Sequence, residues 1–215
     1  MASGSWRDTL FVWSGPLQLV NNKAEAEWSG SWVGCEDCPD ANDAQKPSPE
    51  DLANSKMQFD VKGKLQQKTS GGEIFHHLCL DDGGDGWDLA SGDDVQRHGD
   101  KRHTIVLPTI HRSDAKGKRL PIAAVGENDF GSFVSAGYME AKSKGGGDLH
   151  MTLARRYLEE GDARSKWTAQ MLYTKICSNT CTSSDGDDLP WRSHDLHALL
   201  RPQRRGKRKA ASSET

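Results

Sequence analysis

Apolar and polar residues alternate along several short segments of this chain, and that period of two limits the folds open to it more than any other feature. The alternation is cleanest over residues 57–64 and recurs at 24–32 and 149–154. Successive side chains of a β-strand point to opposite faces, so each segment is predicted to form a strand with one buried face. Further strands are predicted at 10–13, 17–20, 74–80, 103–107 and 122–126.

A glycine-rich turn and one helical segment complete the predicted architecture. Residues 131–141 and 149–157 flank the Gly-rich stretch 143–147, which predicts a hairpin. Apolar residues recur at helical spacing after Asp162, whose side chain can cap a helix, and this predicts a helix over 163–177. The fold class is therefore predicted to be mainly β, an antiparallel β-barrel or sandwich of about eight to ten short strands with one C-terminal helix.

A Trp-Ser-Gly triplet occurs twice, at 13–15 and 28–30. We interpret the repeat as two adjacent strands whose tryptophans face the core and whose glycines let the backbones approach closely. If the strands close into a barrel, large aromatic side chains of the inner face would line it. The candidate lining residues are Trp28, Trp32, Phe59 and Phe133.

The last fifteen residues carry the strongest charge signal. They hold six Lys or Arg against Glu214, which gives +5 and leaves −8 for residues 1–200 out of a formal net charge of −3. A segment of this composition is predicted to be a disordered basic tail, 201–215, because it cannot bury enough apolar surface to fold. Its cations can be read by a nuclear import receptor or can contact phosphates. The candidate residues for both roles are Arg204, Arg205, Lys207, Arg208 and Lys209.

Residues 1–200 are predicted to form a single β-barrel-like domain with two acidic loops. Residues 36–55 carry six acids and three prolines, and residues 81–94 carry six Asp and no base. Such compositions are typical of loops on the protein surface. An apolar fraction of 34% is lean for a compact domain, but seven Trp and five Phe can supply large buried areas.

The sequence also gives expectations about the cellular compartment of the protein. It holds no run of about 18 apolar residues, so no membrane partner is predicted. The first residues lack the basic and apolar regions of a secretory signal. The five Cys are therefore expected as reduced thiols.

Two cysteine pairs are the strongest metal-binding candidates. Cys35 with Cys38, and Cys177 with Cys181, could together supply four thiolates to zinc. The competing interpretation is that they are unpaired thiols, and we prefer it because neither pair has an evident basic or His second shell. Accordingly, neither a metal nor any other cofactor is predicted.

No catalytic residue is predicted either. The sequence lacks a Gly-x-Ser-x-Gly elbow, a phosphate-binding loop and a dinucleotide fingerprint. His76 and His77 are adjacent in a predicted strand, so they point to opposite faces and cannot share a metal through one face. Arg155 and Arg156 diverge for the same reason, and we interpret the pair as outer-face charges that balance the acidic loops.

Three stretches carry a resemblance to other proteins: Trp28 to Gly34, Gly126 to Glu140 and Leu153 to Arg164. They are similar to stretches of uncharacterised small β-rich proteins of algae and other protists. More loosely, the chain resembles the β-barrel region of F-box-associated proteins, in which a Gly-x-Phe strand precedes a strand ending in Arg-Tyr or Lys-Tyr. The resemblance implies a β-barrel and no known catalytic residue.

Three functions remain open from the sequence. The preferred interpretation is a non-enzymatic nuclear β-barrel module that binds a protein or peptide partner, with the tail as import signal and the cytoplasm as alternative location. A second is a calycin-like small-ligand binder with an open lumen. A third is a nucleic-acid accessory protein tethered by its tail, with weak affinity because the body carries −8.

Overall fold

The computed structural model describes residues 6–20, 24–36, 47–70, 72–80, 86–108, 119–141, 149–180 and 199–200. Its strands are β1 Thr9–Val20, β2 Glu25–Glu36, β3 Gln58–Ser70, β4 Glu73–Leu80, β5 Gly86–Ser91, β6 Asp94–His98, β7 Lys101–Pro108, β8 Leu120–Asn128, β9 Gly131–Ala141 and β10 Leu149–Tyr157. Its helices are α1 Pro49–Ala53 and α2 Ala169–Thr180, with 3-10 turns at Trp6–Asp8 and Ala163–Lys166.

Eight of these strands close into an antiparallel barrel. The order around it is β1-β2-β3-β4-β7-β8-β9-β10, and β10 pairs back with β1. The prediction of a mainly β, antiparallel fold with a C-terminal helix is confirmed, and the fold is a barrel, not a sandwich. The β5–β6 hairpin lies outside the ring and joins it where Trp87 pairs with Phe59.

The two Trp-Ser-Gly triplets meet on neighbouring strands, as the sequence predicts. Ser14 pairs with Ser31, and Leu17 pairs with Trp28 across β1 and β2. A Cβ atom placed on Gly15 would lie 1.8 Å from the Ser29 carbonyl oxygen, and one on Gly30 would lie 2.2 Å from that of Ser14. Neither position can hold a side chain, because the two backbones are in contact there.

The barrel wall separates two apolar cores. The inner core fills the barrel, and the outer core lies between the barrel wall and α2. β8 and β9 are buried on both faces, which explains their nearly continuous apolar runs. Inner-core residues include Leu17, Trp28, Phe59, Leu78, Ile105, Ile122, Met139 and Met151, and outer-core residues include Val106, Ala123, Val134, Ala136, Leu172 and Ile176.

The C-terminal helix differs from its predicted bounds. The segment predicted as one helix over 163–177 is divided into the 3-10 turn Ala163–Lys166 and α2. Trp167 interrupts it with an extended backbone, φ −75° and ψ 142°. The Thr168 hydroxyl accepts a hydrogen bond from the Met171 amide at 3.2 Å and so caps the start of α2.

The acidic loop predicted at 81–94 differs more from the structure. Residues 86–91 form β5, and the turn Gly92-Asp93 leads into β6. The apolar side chains of this hairpin that face the barrel, Trp87 and Leu89, alternate with Asp88 and Ala90, a strand pattern that the Asp-rich composition hid. In the first acidic segment α1 begins at a Ser48 capping box, and residues 37–46 lie outside the described residues.

Candidate binding pocket

A cavity of about 240 Å³ lies at the end of the barrel where β1 begins and β10 ends. Seven of its eight lining residues are aromatic. Engineered cavities of about 150 Å³ already hold benzene, so this one has room for an aromatic ring or a branched aliphatic group. We call it the aromatic pocket; it is lined by Trp6, Phe11, Trp13, Trp32, Trp87, Leu89, Phe130 and Tyr157.

The pocket walls pack against one another. The Trp13 and Trp32 rings are stacked, with centroids 5.6 Å apart and planes 12° apart. Trp87 meets both of them edge-on, at 5.8 Å and 5.6 Å. Phe11 packs edge-on against Trp32 and Tyr157. Rings held this way by their neighbours form a pocket that exists before any ligand arrives.

Three of the polar atoms of these side chains form hydrogen bonds outside the cavity, whereas the buried Trp13 Nε1 has no hydrogen-bond partner among the described residues. Trp32 Nε1 donates to the Asp88 carbonyl oxygen at 3.1 Å. Trp87 Nε1 donates to Asp100 Oδ1 at 3.1 Å, and the Tyr157 hydroxyl accepts from Asn128 Nδ2 at 2.8 Å. The surface facing the cavity is therefore almost entirely hydrocarbon. A polar group placed there would lose its hydrogen bonds to water, at a cost of about 1–3 kcal/mol.

A buried polar cluster lies behind the aromatic walls, formed by Asp100, His103, Asn128 and Arg155; we call it the Asp100 network. Arg155 donates to both carboxylate oxygens of Asp100, at 3.2 Å and 2.6 Å. Asn128 Nδ2 donates to Oδ1 at 2.9 Å, and His103 Nδ1 lies 3.0 Å from Oδ2. The side chains of Asp100 and Arg155 are 4% and 2% exposed.

The Asp100 network holds the pocket walls in place. The Arg155 guanidinium lies between two rings, with its central carbon 4.2 Å from the Trp13 centroid and 3.8 Å from that of Phe133. Asp100 binds this guanidinium and also the indole N–H of Trp87. The carboxylate thus fixes one wall, Trp87, directly and a second wall, Trp13, through the cation–π contact of Arg155.

A β-bulge brings Asp100 and His103 to the same side. Residues three apart on a regular strand point to opposite faces. The β7–β8 register shifts between Lys101 and Thr104, and Arg102 there has φ 50°. The extra residue shifts the alternation of inward and outward side chains by one position, so the side chains of Asp100 and His103 both point into the barrel. A non-glycine residue at positive φ is an uncommon and strained feature, and here it belongs to the network that holds the pocket.

Burial and charge act in opposite directions on these groups. Burial alone would raise the pKa of Asp100, but the charge of Arg155 and the contacts with His103 outweigh it and hold that pKa far below its usual range. Burial lowers the pKa of His103 despite the opposing effect of Asp100. The folded protein therefore holds an ionised carboxylate beside a neutral imidazole.

Stability should consequently fall as the pH drops from 7 to 5. A His whose folded pKa is depressed binds a proton more readily when unfolded, so its contribution is present above the unfolded pKa of about 6.5 and is lost below it. We expect His103→Leu to lose less stability than the wild type over this interval, by up to about 1.4 kcal/mol per pH unit. Burial also lowers the pKa of His77, but that residue is present in both proteins and cancels.

Urea midpoints of the two proteins at pH 7 and pH 5 provide the measurement. The variant loses the contact with Asp100 and should start from lower stability, so the quantity compared is the change with pH. Equal changes in the two proteins would contradict a neutral buried His103.

The four aromatic residues predicted to line the barrel divide into two groups. Trp32 lines the aromatic pocket. Trp28 and Phe59 lie in the inner core, with ring centroids 4.5 Å apart, and Phe133 packs beneath Arg155. The lumen is filled at these levels, so the cavity occupies one end of the barrel. The other lining residues are not among the four predicted: Trp6, Phe11, Trp13, Trp87, Leu89, Phe130 and Tyr157.

The other candidate residues of the sequence do not reach this pocket. Cys35 and Cys177 pack against the outer core, and burial raises the pKa of Cys35 to about 11, with Asp51 contributing. Within the described ranges no cluster of three or more His, Cys, Asp or Glu could hold a metal ion. Cys38 and Cys181 lie outside those ranges, as does the whole basic tail with Arg204, Arg205, Lys207, Arg208 and Lys209.

Comparisons with protein-family models, curated proteins and solved structures found no match for this chain. The resemblance to algal, protist and F-box-associated proteins therefore stays a prediction. In the part of the chain that the structure describes, no helix is long and apolar enough to span a membrane. Fold and site together define the class: an eight-stranded antiparallel β-barrel with an aromatic pocket at one end.

Proposed function

We propose that the barrel is a binding module that takes an apolar group of a protein or peptide partner into the aromatic pocket. The observation that carries this proposal is a preformed pocket whose inner surface is hydrocarbon and whose rim holds Trp6, 43% exposed. Trp and Tyr are enriched at protein interfaces and among the residues that carry most of the binding energy there.

The pocket favours a neutral apolar group over a polar or charged one. None of its lining residues is acidic, so a cation would gain ring contacts without a counter-charge. The ion pair of Asp100 with Arg155 is buried behind the walls. A side chain such as Leu, Met or Phe fits the volume and the surface, whereas Lys or a sugar does not.

A small apolar molecule is the second candidate, and the cavity itself supports it. However, a volume of about 240 Å³ lies below the range of about 300–1,000 Å³ that is typical of pockets for free ligands. A single side chain anchored by its own backbone needs less room. This size, with the exposed Trp6 at the rim, favours a polypeptide partner.

We further propose that the module binds without catalysis. Two described groups that could transfer protons, Asp100 and His103, lie behind the pocket walls with side chains 4% and 1% exposed, and the hydroxyl of the lining residue Tyr157 is held by Asn128. A general acid or base must come within hydrogen-bond reach of its substrate. Neither group meets that condition with a ligand in the cavity.

Capped alanine-based peptides with one central guest residue test the binding proposal. We expect peptides with Phe or Leu to bind and those with Lys or Ala to bind at least about tenfold more weakly, a difference of about 1.4 kcal/mol. Leu89→Trp, which fills the pocket, should abolish the difference. Ile74→Trp serves as a matched control, because Ile74 is 45% exposed and does not line the cavity.

Titration calorimetry on the full chain measures these affinities. Equal affinity for the Phe and Ala peptides, or unchanged binding by Leu89→Trp, would overturn the proposal.

The location we propose is the nucleus, because the sequence of the tail is typical of an import signal. Deleting residues 201–215 from a fluorescent fusion should shift it towards the cytoplasm. The fusion must be large enough to exclude passive entry. Unchanged nuclear enrichment of such a fusion would show that the tail is not the signal.

The tail also limits any nucleic-acid role that we propose. Phosphate contacts scale with the number of cations engaged, and the tail concentrates six of them while residues 1–200 carry −8. Binding to DNA or RNA should therefore be weak and strongly salt-dependent. The hydrocarbon pocket offers no hydrogen bonds to the edges of a base.

A further inference from the structure

We propose that the partner binds as an extended strand on the outer edge of β6 and delivers its apolar anchor into the aromatic pocket. This inference rests on the proposed function and goes beyond it, because it names the partner's conformation. The surface consists of the free edge of β6 and the adjoining pocket wall formed by Trp87, Leu89 and Phe130.

Among the described residues, three strand edges open where the β5–β6 hairpin leaves the ring, and other described residues cover two of these edges. The register of β2 with β3 ends at Ser31, and Trp32 N–H still donates to the Met57 carbonyl at 3.0 Å. Ser31 Oγ donates to the Leu52 carbonyl at 2.6 Å, so α1 lies along the edge. β5 is covered where its Asp88 carbonyl accepts from Trp32 Nε1 and its Ala90 amide donates to Met57 Sδ.

The outer edge of β6 is the third, and nothing in the described part of the chain covers it. β6 pairs with β5 alone, and beyond that ladder the described residues give its backbone no hydrogen-bond partner. Residues 94–97 are exposed, and Val95 is 55% exposed on the outer face. Such an edge is a template for a further strand.

The free edge lies beside the pocket, because the last residue of β6 packs against two of the lining side chains. His98 pairs with Trp87 across the hairpin, and its ring centroid lies 4.9 Å from that of Trp87 and 5.0 Å from that of Phe130. Paired residues of adjacent strands share a face, so alternate residues of β6 lie on the pocket side of the hairpin. A strand added beside β6 would place every second side chain on that side too.

Hydrogen bonds attach the hairpin to the barrel in addition to its pairing with β3. Arg97 donates to Asp88 on β5 at 2.9 Å and to Asp60 on β3 at 2.6 Å. These bonds, with that from Trp87 to Asp100, join the hairpin to the barrel at both of its faces. A strand that is already ordered adds little entropic cost when a partner pairs with it.

An N-methyl scan of the Phe-containing peptide tests this proposal. Two peptides carry N-methyl groups on alternate residues, one set on the even positions and one on the odd. A pairing strand points alternate N–H groups at β6, so we expect one peptide to bind at least about tenfold more weakly and the other to bind like the parent. Amides of β6 should also become protected from hydrogen exchange when the parent peptide binds.

Each other outcome overturns the inference. Equal affinity of both methylated peptides and the parent would show that the anchor binds without strand pairing, which leaves the proposed function intact. Failure of the parent peptide to bind would reject both. A dimer in sedimentation, with β6 amides protected before peptide is added, would assign the edge to a second copy of this chain.

Discussion

Replacing Asp100 with leucine should lower the free energy of unfolding by about 3–5 kcal/mol, the usual cost of removing one partner of a buried ion pair. The loss leaves the Arg155 guanidinium, 2% exposed, without its carboxylate inside an aromatic core. It also removes the acceptor for Trp87 Nε1 and Asn128 Nδ2. Urea denaturation of variant and wild type provides the measurement.

A double variant separates the charge from the packing. Asp100→Leu combined with Arg155→Met replaces the pair by apolar groups of similar size, and such replacements are often close to neutral. We expect the double variant to be more stable than Asp100→Leu alone by about 2 kcal/mol or more. A double variant as unstable as the single one would show that uncompensated charge is not the cause.

The second large effect is expected at Trp32, which serves both the core and the pocket. Trp32→Ala should cost about 3–5 kcal/mol, as large-to-small core substitutions do. The side chain is 4% exposed, stacks on Trp13 and donates to the Asp88 carbonyl. Ser29→Ala, at an exposed position of the same strand, should stay within about 0.5 kcal/mol of the wild type.

The urea unfolding midpoints of the two variants test this difference in stability. Similar destabilisation by Trp32→Ala and Ser29→Ala would contradict the inward register of β2. The peptide affinity of a folded Trp32→Ala protein should fall as well, because one wall of the pocket is missing.

The strands of the barrel could be predicted wherever apolar and polar residues alternate along the sequence. Period-two alternation and the two Trp-Ser-Gly triplets identify strands, inward faces and one strand neighbour. The β5 strand escaped prediction because Asp88 and the neighbouring aspartates indicate a loop, whereas tertiary contacts of Trp87 with Phe59 and Asp100 hold it as a strand.

The candidate site could be predicted only in small part, because its parts come from distant segments. The sequence predicts Arg155 on the outer face, yet it is 2% exposed and pairs with a carboxylate 55 positions away. Arg156 is 0% exposed and donates to the carbonyls of Leu200 and Arg7. The apolar and polar pattern of one segment does not reveal partners from distant segments, and it does not reveal the bulge that turns Asp100 inward.

The central claim, that the aromatic pocket accepts an apolar group, is tested most directly by proton NMR of the full chain with toluene and with p-cresol. We expect toluene to show nuclear Overhauser contacts with the indole protons of Trp32 and Trp87, and p-cresol to bind about tenfold more weakly because its hydroxyl finds no partner. Leu89→Trp should remove the contacts, and Ile74→Trp should keep them. Toluene contacts that are absent, or that persist in Leu89→Trp, would contradict the claim.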